Sequence, residues 1–321
     1  MTDDRGYYAK HLGDLDKRLR DALGDTSLRA VHQREAWRHA LIALRHGGLF
    51  ALVAYGLFQI GNPWIWIPLA ALQGFQILGF IILLHEVIHG VVSARPLSGA
   101  AKRVLAALYA LPSAIAPSQF ERWHLDHHRG LGSDSEDPKR AQLSPKRNAR
   151  WLKLLYFTPA LFVIYAKAAA RAAKDYSPGL RRRILFERLF AIVIHLGVGI
   201  ALWKVGPEVL LRVYLAPLFV FFPAAFFLNR LGQHYDVDAS KVEAWSTRVD
   251  GNPLVRFLFL ASNHHIEHHY YPGVPLYHLA ALNSALRPFF DQQGIRNRGY
   301  LSLLKGWLID NHKPHSDWRE N

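Results

Sequence analysis

Two apolar runs, residues 39–60 and 64–84, follow one another with only Gly61-Asn62-Pro63 between them. Each is near the length of roughly 20 residues that a helix needs to cross a bilayer. The tight Gly-Asn-Pro link makes them a helical hairpin. Four further apolar runs follow, at about 104–118, 151–170, 185–203 and 207–230. Charge sorts them, because Lys and Arg accumulate in cytoplasmic loops. The stretch before the first run carries Lys10, Lys17, Arg18, Arg20, Arg29, Arg34 and Arg38, whereas the 61–63 turn carries no basic residue. A cytoplasmic arm and an outer turn follow, and the chain returns to the cytoplasmic face at His85.

The run at 104–118 is short and holds Pro112 and Pro117. The run at 151–170 holds Pro159 and is basic at both ends, with Arg150 and Lys153 before and Lys167 and Arg171 after. Both are expected to be in-plane or partly buried helices. Arg171, Lys174, Arg181, Arg182, Arg183 and Arg188 mark another cytoplasmic stretch. The runs 185–203 and 207–230 then cross out and back. Trp64, Trp66 and Trp203 fall at the outer ends, where an aromatic belt belongs. The expected fold is an all-α integral membrane protein with four crossings in two hairpins and additional in-plane helices. A cytoplasmic arm spans 1–38 and a single membrane domain spans 39–321. The mixed stretch from residue 270 onward is expected to cap the site.

Half of the 321 residues are hydrophobic, yet the formal net charge is +14. That pairing suits a membrane protein with one basic side. It does not suit a nucleic-acid binder, since the Lys and Arg flank apolar runs and form no single stripe. The chain has no cysteine, which excludes thiolate metal sites and iron–sulfur clusters. The first twenty residues lack the apolar core of a cleaved signal peptide.

Eight histidines fall in three clusters: His85 and His89; His124, His127 and His128; His265, His268 and His269. Imidazole is the commonest metal-ligating side chain. Spacings of three and four put histidines on one helix face, where two reach a common ion. Zinc takes four ligands, so a set this large exceeds one zinc site, while imidazole suits iron, copper, zinc and nickel alike. Four crossings leave every cluster on one face, whereas six would put the second cluster opposite the first. Glu86, Asp126 and Glu267 are the carboxylates placed to orient an imidazole.

With three boxes in this order and two apolar hairpins around them, the chain resembles the membrane fatty acid desaturase and hydroxylase family. The resemblance covers most of residues 39–285, including Asn263-His264-His265-Ile266-Glu267-His268-His269 with Tyr271-Pro272 and Pro275 beyond. It implies that His85, His89, His124, His127, His128, His265, His268 and His269 ligate two irons, with a ninth histidine from between the second and third boxes. His234, just past the last crossing, is chosen for that place. His195 lies about ten residues into a crossing, roughly 15 Å deep at helical rise, and reads as a hydrogen-bonded intramembrane histidine. His264 is out of register with the third box and is expected outside the ligand set.

The resemblance further implies dioxygen as co-substrate, hydrogen removal from an aliphatic chain, and a fatty acid or acyl-thioester substrate drawn from the bilayer. Electrons would come from a separate donor of ferredoxin, rubredoxin or haem-carrier type with its reductase. Desaturation is the leading outcome. Oxidative decarboxylation to a terminal alkene is an alternative, since the segment Leu131–Arg140 resembles a bacterial decarboxylase branch; hydroxylation is another. A metal transporter and a zinc hydrolase are readings of a different class. The Ala- and Arg-rich composition points to a bacterial inner membrane. Three features have plainer readings: His32, His39 and His46 as a polar helix face, Arg181–Arg183 as a topology signal, and Trp123 and Tyr270 as packing.

Overall fold

The computed structural model describes residues 6–145 and 147–312. The first five residues of the expected arm, Lys146 and residues 313–321 of the expected membrane domain lie outside the described residues. Among the described residues all regular elements are helical, apart from an isolated β-bridge between Arg248 and Asn297. Four helices are long and apolar enough to cross a membrane: α1 (Ala36–Gln59), α2 (Pro63–Ile88), α3 (Pro178–Val205) and α4 (Pro207–His234). These are the four expected crossings. The short run at 104–118 is a helix over Gly99–Ala110 with a 3₁₀ turn at Leu111–Ser113. The run at 151–170 is two helices, Arg150–Leu155 and Ala160–Ala172, broken ahead of Pro159, which disfavours helical geometry in the residue before it.

The chain divides into two compact units. One comprises Glu35–Glu121 and Leu155–Phe227 and contains the apolar helices. Local signals start them: Asn62 accepts a hydrogen bond from the Trp64 amide at 3.0 Å with Pro63 as the first helical residue, and Ser177 accepts from Leu180 N at 3.3 Å ahead of Pro178. Both arrangements satisfy amides that a helix start leaves without partners. Within the unit α2 is the central helix, with 61% of its most apolar window buried; α3 buries only 11% and turns Leu185, Phe186, Val193 and Leu196 outward. That suits a helix bathed in lipid, where apolar exposure is not penalised and backbone groups are satisfied internally. Close approaches depend on glycine. A Cβ at Gly74 would lie 2.7 Å from the Phe221 backbone of α4, and one at Gly79 would lie 2.2 Å from the His46 ring of α1. The middle of α4, Leu211–Phe221, is widened to π geometry around Pro217, which has no N–H to give an ordinary turn.

His39 and His46 face inward and do not form a polar stripe. His39 Nε2 lies 3.0 Å from the Tyr109 hydroxyl, and His46 Nε2–H donates to the Gln76 carbonyl at 2.8 Å. His32 belongs to a different helix and caps Asp25–Val31. The seven-residue spacing therefore crosses a helix boundary, and the reading of these three as one polar face is corrected.

The other unit holds the chain up to Arg34, Arg122–Leu154 and the stretch from Leu228. Leu15, Leu19 and Leu23 form an apolar stripe at helical spacing on the helix Leu15–Leu23, which packs on the long helix Leu276–Gln292. Full burial of each leucine side chain is worth about 1.5–3 kcal/mol. Arg18, on the flank of that stripe, donates to Gln293 at 3.1 Å and pairs with Glu243 at 3.5 Å.

Candidate metal centre

Seven of the nine candidate histidines fall in this second unit, on three helical segments. The helix Pro117–Gly130 bears His124, His127 and His128; α4 ends on His234; and the helix His265–Tyr270 bears His265, His268 and His269. The last helix is approached through Leu260 and Ala261, both left-handed with φ of 47° and 63°, each at a cost of roughly 1–2 kcal/mol. Every residue of that helix is buried.

The imidazoles meet through their Nε2 atoms in two groups. In one, His127 Nε2 lies 2.9 Å from His234 Nε2 and 3.2 Å from His269 Nε2; His265 Nε2 is 3.0 Å from His234 and 3.1 Å from His269. In the other, His128 Nε2 lies 3.0 Å from both His124 Nε2 and His268 Nε2. Burial pushes His127 and His269 well below the usual imidazole range, with help from Lys139 and His128 respectively. Those two rings are therefore neutral, with a nitrogen lone pair each to offer. Converging lone pairs about 3 Å apart repel one another unless a cation sits among them. Nitrogens bound about 2.0–2.1 Å from a common ion necessarily take up such a spacing. The donor set fits a metal ion in each group. His85 and His89 belong to the other compact unit; they sit one turn apart at the end of α2, ring centroids 4.6 Å apart.

The remaining nitrogens face the protein. His234 Nδ1–H donates to the Trp245 carbonyl at 3.3 Å. His127 Nδ1 sits 2.9 Å from Asp137 Oδ1, although not in line for a well-formed hydrogen bond. A buried carboxylate beside Nδ1 favours the tautomer with its proton there and frees Nε2 for an ion. Asp137 is held by its place: it caps the helix Pro138–Leu143 by accepting from Lys139 N at 2.9 Å. Its carboxyl is raised by burial.

The expected carboxylates behave differently from one another. Asp126 pairs with Arg122 at 2.7 Å on the surface of its helix and orients no imidazole. Glu267 is fully buried, accepts a hydrogen bond from Asn283, and is pushed up to about 7 by burial. Through that bond the helix Leu276–Gln292 is fastened to the third box. Glu86 is buried in α2. His264 stays out of both groups, 4.0 Å from Glu267. His195 is fully engaged inside its own unit, with Nε2–H donating to the Leu111 carbonyl at 2.7 Å and Nδ1 accepting from Tyr214 at 2.7 Å. Tyr270 donates its hydroxyl to the Glu243 carbonyl, a packing role. Asp137 and Trp245 are site residues that sequence reasoning missed. Asp-Pro is a helix-start pattern that could have suggested a cap at Asp137, but nothing local tied either residue to a histidine.

A family model described as fatty acid desaturase matches residues 61–300 of the chain. A human protein named sphingolipid delta(4)-desaturase/C4-monooxygenase is 25% identical over 244 residues, an alignment covering 72% of this chain and 69% of that protein.

Proposed function

The chain belongs to the fatty acid desaturase family, and from that membership we infer that it removes hydrogen from the aliphatic chain of a fatty acyl substrate to leave a double bond. It is an integral membrane oxidoreductase. The observation that carries the finer reading is the convergence of imidazole Nε2 atoms in two groups, without a thiolate or a carboxylate among the donors. His127, His234, His265 and His269 would hold one iron. His124, His128 and His268 would hold the other, and His85 and His89 would complete its donors, since three imidazoles leave an iron under-coordinated. Two irons in such a site supply the activation of dioxygen that attack on an unactivated C–H bond needs.

The protein's own part is to orient and to exclude. Asp137 and the Trp245 carbonyl fix which nitrogen of His127 and of His234 carries its proton. Burial of the ligands keeps bulk water from them. The substrate enters from the bilayer, and electrons arrive from a separate carrier of ferredoxin, rubredoxin or haem type. The site faces the cytoplasm of a bacterial inner membrane, a reading supported by the basic arm and the basic stretch 171–188. Hydroxylation is a second reading, favoured by the relative whose name carries a monooxygenase activity beside a desaturase one.

The protein loaded with ferrous iron, dioxygen and a ferredoxin reducing system is given labelled fatty acids, acyl thioesters and sphingolipids, with products read by mass spectrometry. A product two hydrogens lighter is expected. One oxygen heavier selects the hydroxylase, and one carbon shorter the decarboxylase. Product formed without dioxygen, or purified protein that binds zinc and takes up no iron, overturns the reading. His127→Ala is expected to abolish turnover and lower iron content while the protein still inserts in the membrane; full activity there removes His127 from the ligand set.

A further inference from the structure

Desaturation and hydroxylation share one requirement. Reducing dioxygen while oxidising an aliphatic chain by two electrons needs two further electrons and two protons: R–CH2–CH2–R plus O2, two electrons and two protons gives the alkene and two waters. Those electrons must reach a centre in which His124, His127, His234, His265, His268 and His269 are buried. Resting on the iron reading above, we propose that a cavity beside Trp245 docks an acidic one-electron carrier protein and that Trp245 is the point of electron entry. Each carrier is oxidised by one electron, and two deliveries serve one turnover.

The cavity has a volume of about 730 Å³ and lies within the unit that holds His127, His234, His265 and His269. Trp245 forms part of its wall. From the Trp245 indole a short run of covalent bonds leads to its own carbonyl, and one hydrogen bond leads on to His234 Nδ1. The ring is held in place. Its Nε1–H donates to the Ala239 carbonyl at 3.0 Å, and it lies so close over Gly132 that a Cβ there would come within 2.3 Å of it. Gly132 also has φ of +91°, which suits glycine alone. Outward from Trp245 the aromatic contacts continue: Tyr7 at 6.0 Å and His11 at 5.6 Å, with Tyr7 stacked on His11 at 4.1 Å. His11 is exposed. A ladder of rings thus runs from solvent to the tryptophan that touches a ligand.

Charge identifies the kind of partner. Lys241, Arg248, Arg296 and Arg298 line the cavity against Asp236 and Asp238. Arg298 is taken by Asp236 at 2.6 Å and Arg248 by Asp250 at 2.9 Å. Lys241 and Arg296 are exposed and make no ion pair among the described residues. Lys241, which faces Asp238 without a close ion pair, and Arg296 leave the rim of the entry point basic, and such a rim attracts an acidic partner and speeds its arrival.

The test uses the full chain in lipid nanodiscs and, as probe, an acidic plant-type two-iron ferredoxin. Oxidised ferredoxin should bind the metal-free protein with an affinity that falls as salt rises, and the double variant K241E/R296E should weaken binding about tenfold. Trp245→Leu removes part of the docking wall, so its electron transfer is compared at saturating ferredoxin, where a weaker affinity does not enter the rate. In the iron-loaded protein first oxidised to the ferric state, each ferric ion accepting one electron, reoxidation of saturating reduced ferredoxin under argon should slow about tenfold or more in Trp245→Leu, with Trp245→Phe recovering part of the rate. Equal binding by K241E/R296E overturns the docking surface, and an unchanged rate in Trp245→Leu overturns the entry point. A protein that takes up no iron sinks the function proposed above, while the metal-free binding arm still decides the docking surface.

Discussion

At the scale of single residues, the site rests on which nitrogen each imidazole offers. His127 is the clearest case: its Nε2 meets His234 and His269, while its Nδ1 lies against Asp137. Asp137→Asn keeps the shape and removes the charge that holds the proton on Nδ1. Ferrous-iron affinity, measured by competition with a chelator, should fall 10- to 100-fold, the usual effect of losing such an outer partner. An unchanged affinity would reduce Asp137 to a helix cap. The histidines themselves were legible in the sequence because spacings of three and four are local and a helix converts them directly into a shared face. Asp137 was not, because its contact with His127 spans a turn and depends on tertiary packing. Asp126, one of three carboxylates the sequence placed beside the boxes, finds Arg122 one helical turn away, and the nearer charge wins.

Among elements, the crossings were legible because length and hydropathy alone specify them, and their polar ends were not. An apolar window stops at the first charged or imidazole side chain, whereas backbone hydrogen bonding does not. α2 therefore runs past 84 to Ile88 and carries His85 within it, and α3 begins at Pro178, several residues ahead of the apolar stretch. The inward turn of His39 and His46 was hidden for a related reason: periodicity shows that two residues share a face, and only packing shows what that face meets. The contact between His46 and Gly79 makes this testable. Gly79→Ala puts a methyl where the imidazole lies, displacing the ring from the Gln76 carbonyl. Overpacking of this kind costs roughly 1–3 kcal/mol, and thermal unfolding in detergent should shift downward accordingly. His46→Ala removes the obstruction, so Gly79→Ala should cost much less on that background. Purely additive losses would show that the tight contact is not what makes glycine necessary.

At the scale of the whole molecule, the function depends on where the chain stands in the membrane. The four helices and the family membership make it an integral membrane protein, and the distribution of Lys and Arg supplies the orientation. The basic stretch 171–188 runs from the chain ahead of α3 into its first turns, and the 61–63 turn between α1 and α2 carries no basic residue. If the helices at Gly99–Ala110 and Ala160–Ala172 stay in the membrane plane, Gly61 and Glu208 fall outside and Arg182 inside. The absence of cysteine makes the question direct, because a single introduced thiol has no background. Gly61→Cys and Glu208→Cys should react with a membrane-impermeant maleimide added to intact spheroplasts, and Arg182→Cys only after the membrane is opened. Labelling of Gly61→Cys and Arg182→Cys from outside, with Glu208→Cys protected, would mean that one of the two shorter helices crosses, and a reversed pattern would place the arm on the outer face. Either result would separate the histidines from cytoplasmic electron carriers, and the docking surface beside Trp245 would then have no reduced partner to receive.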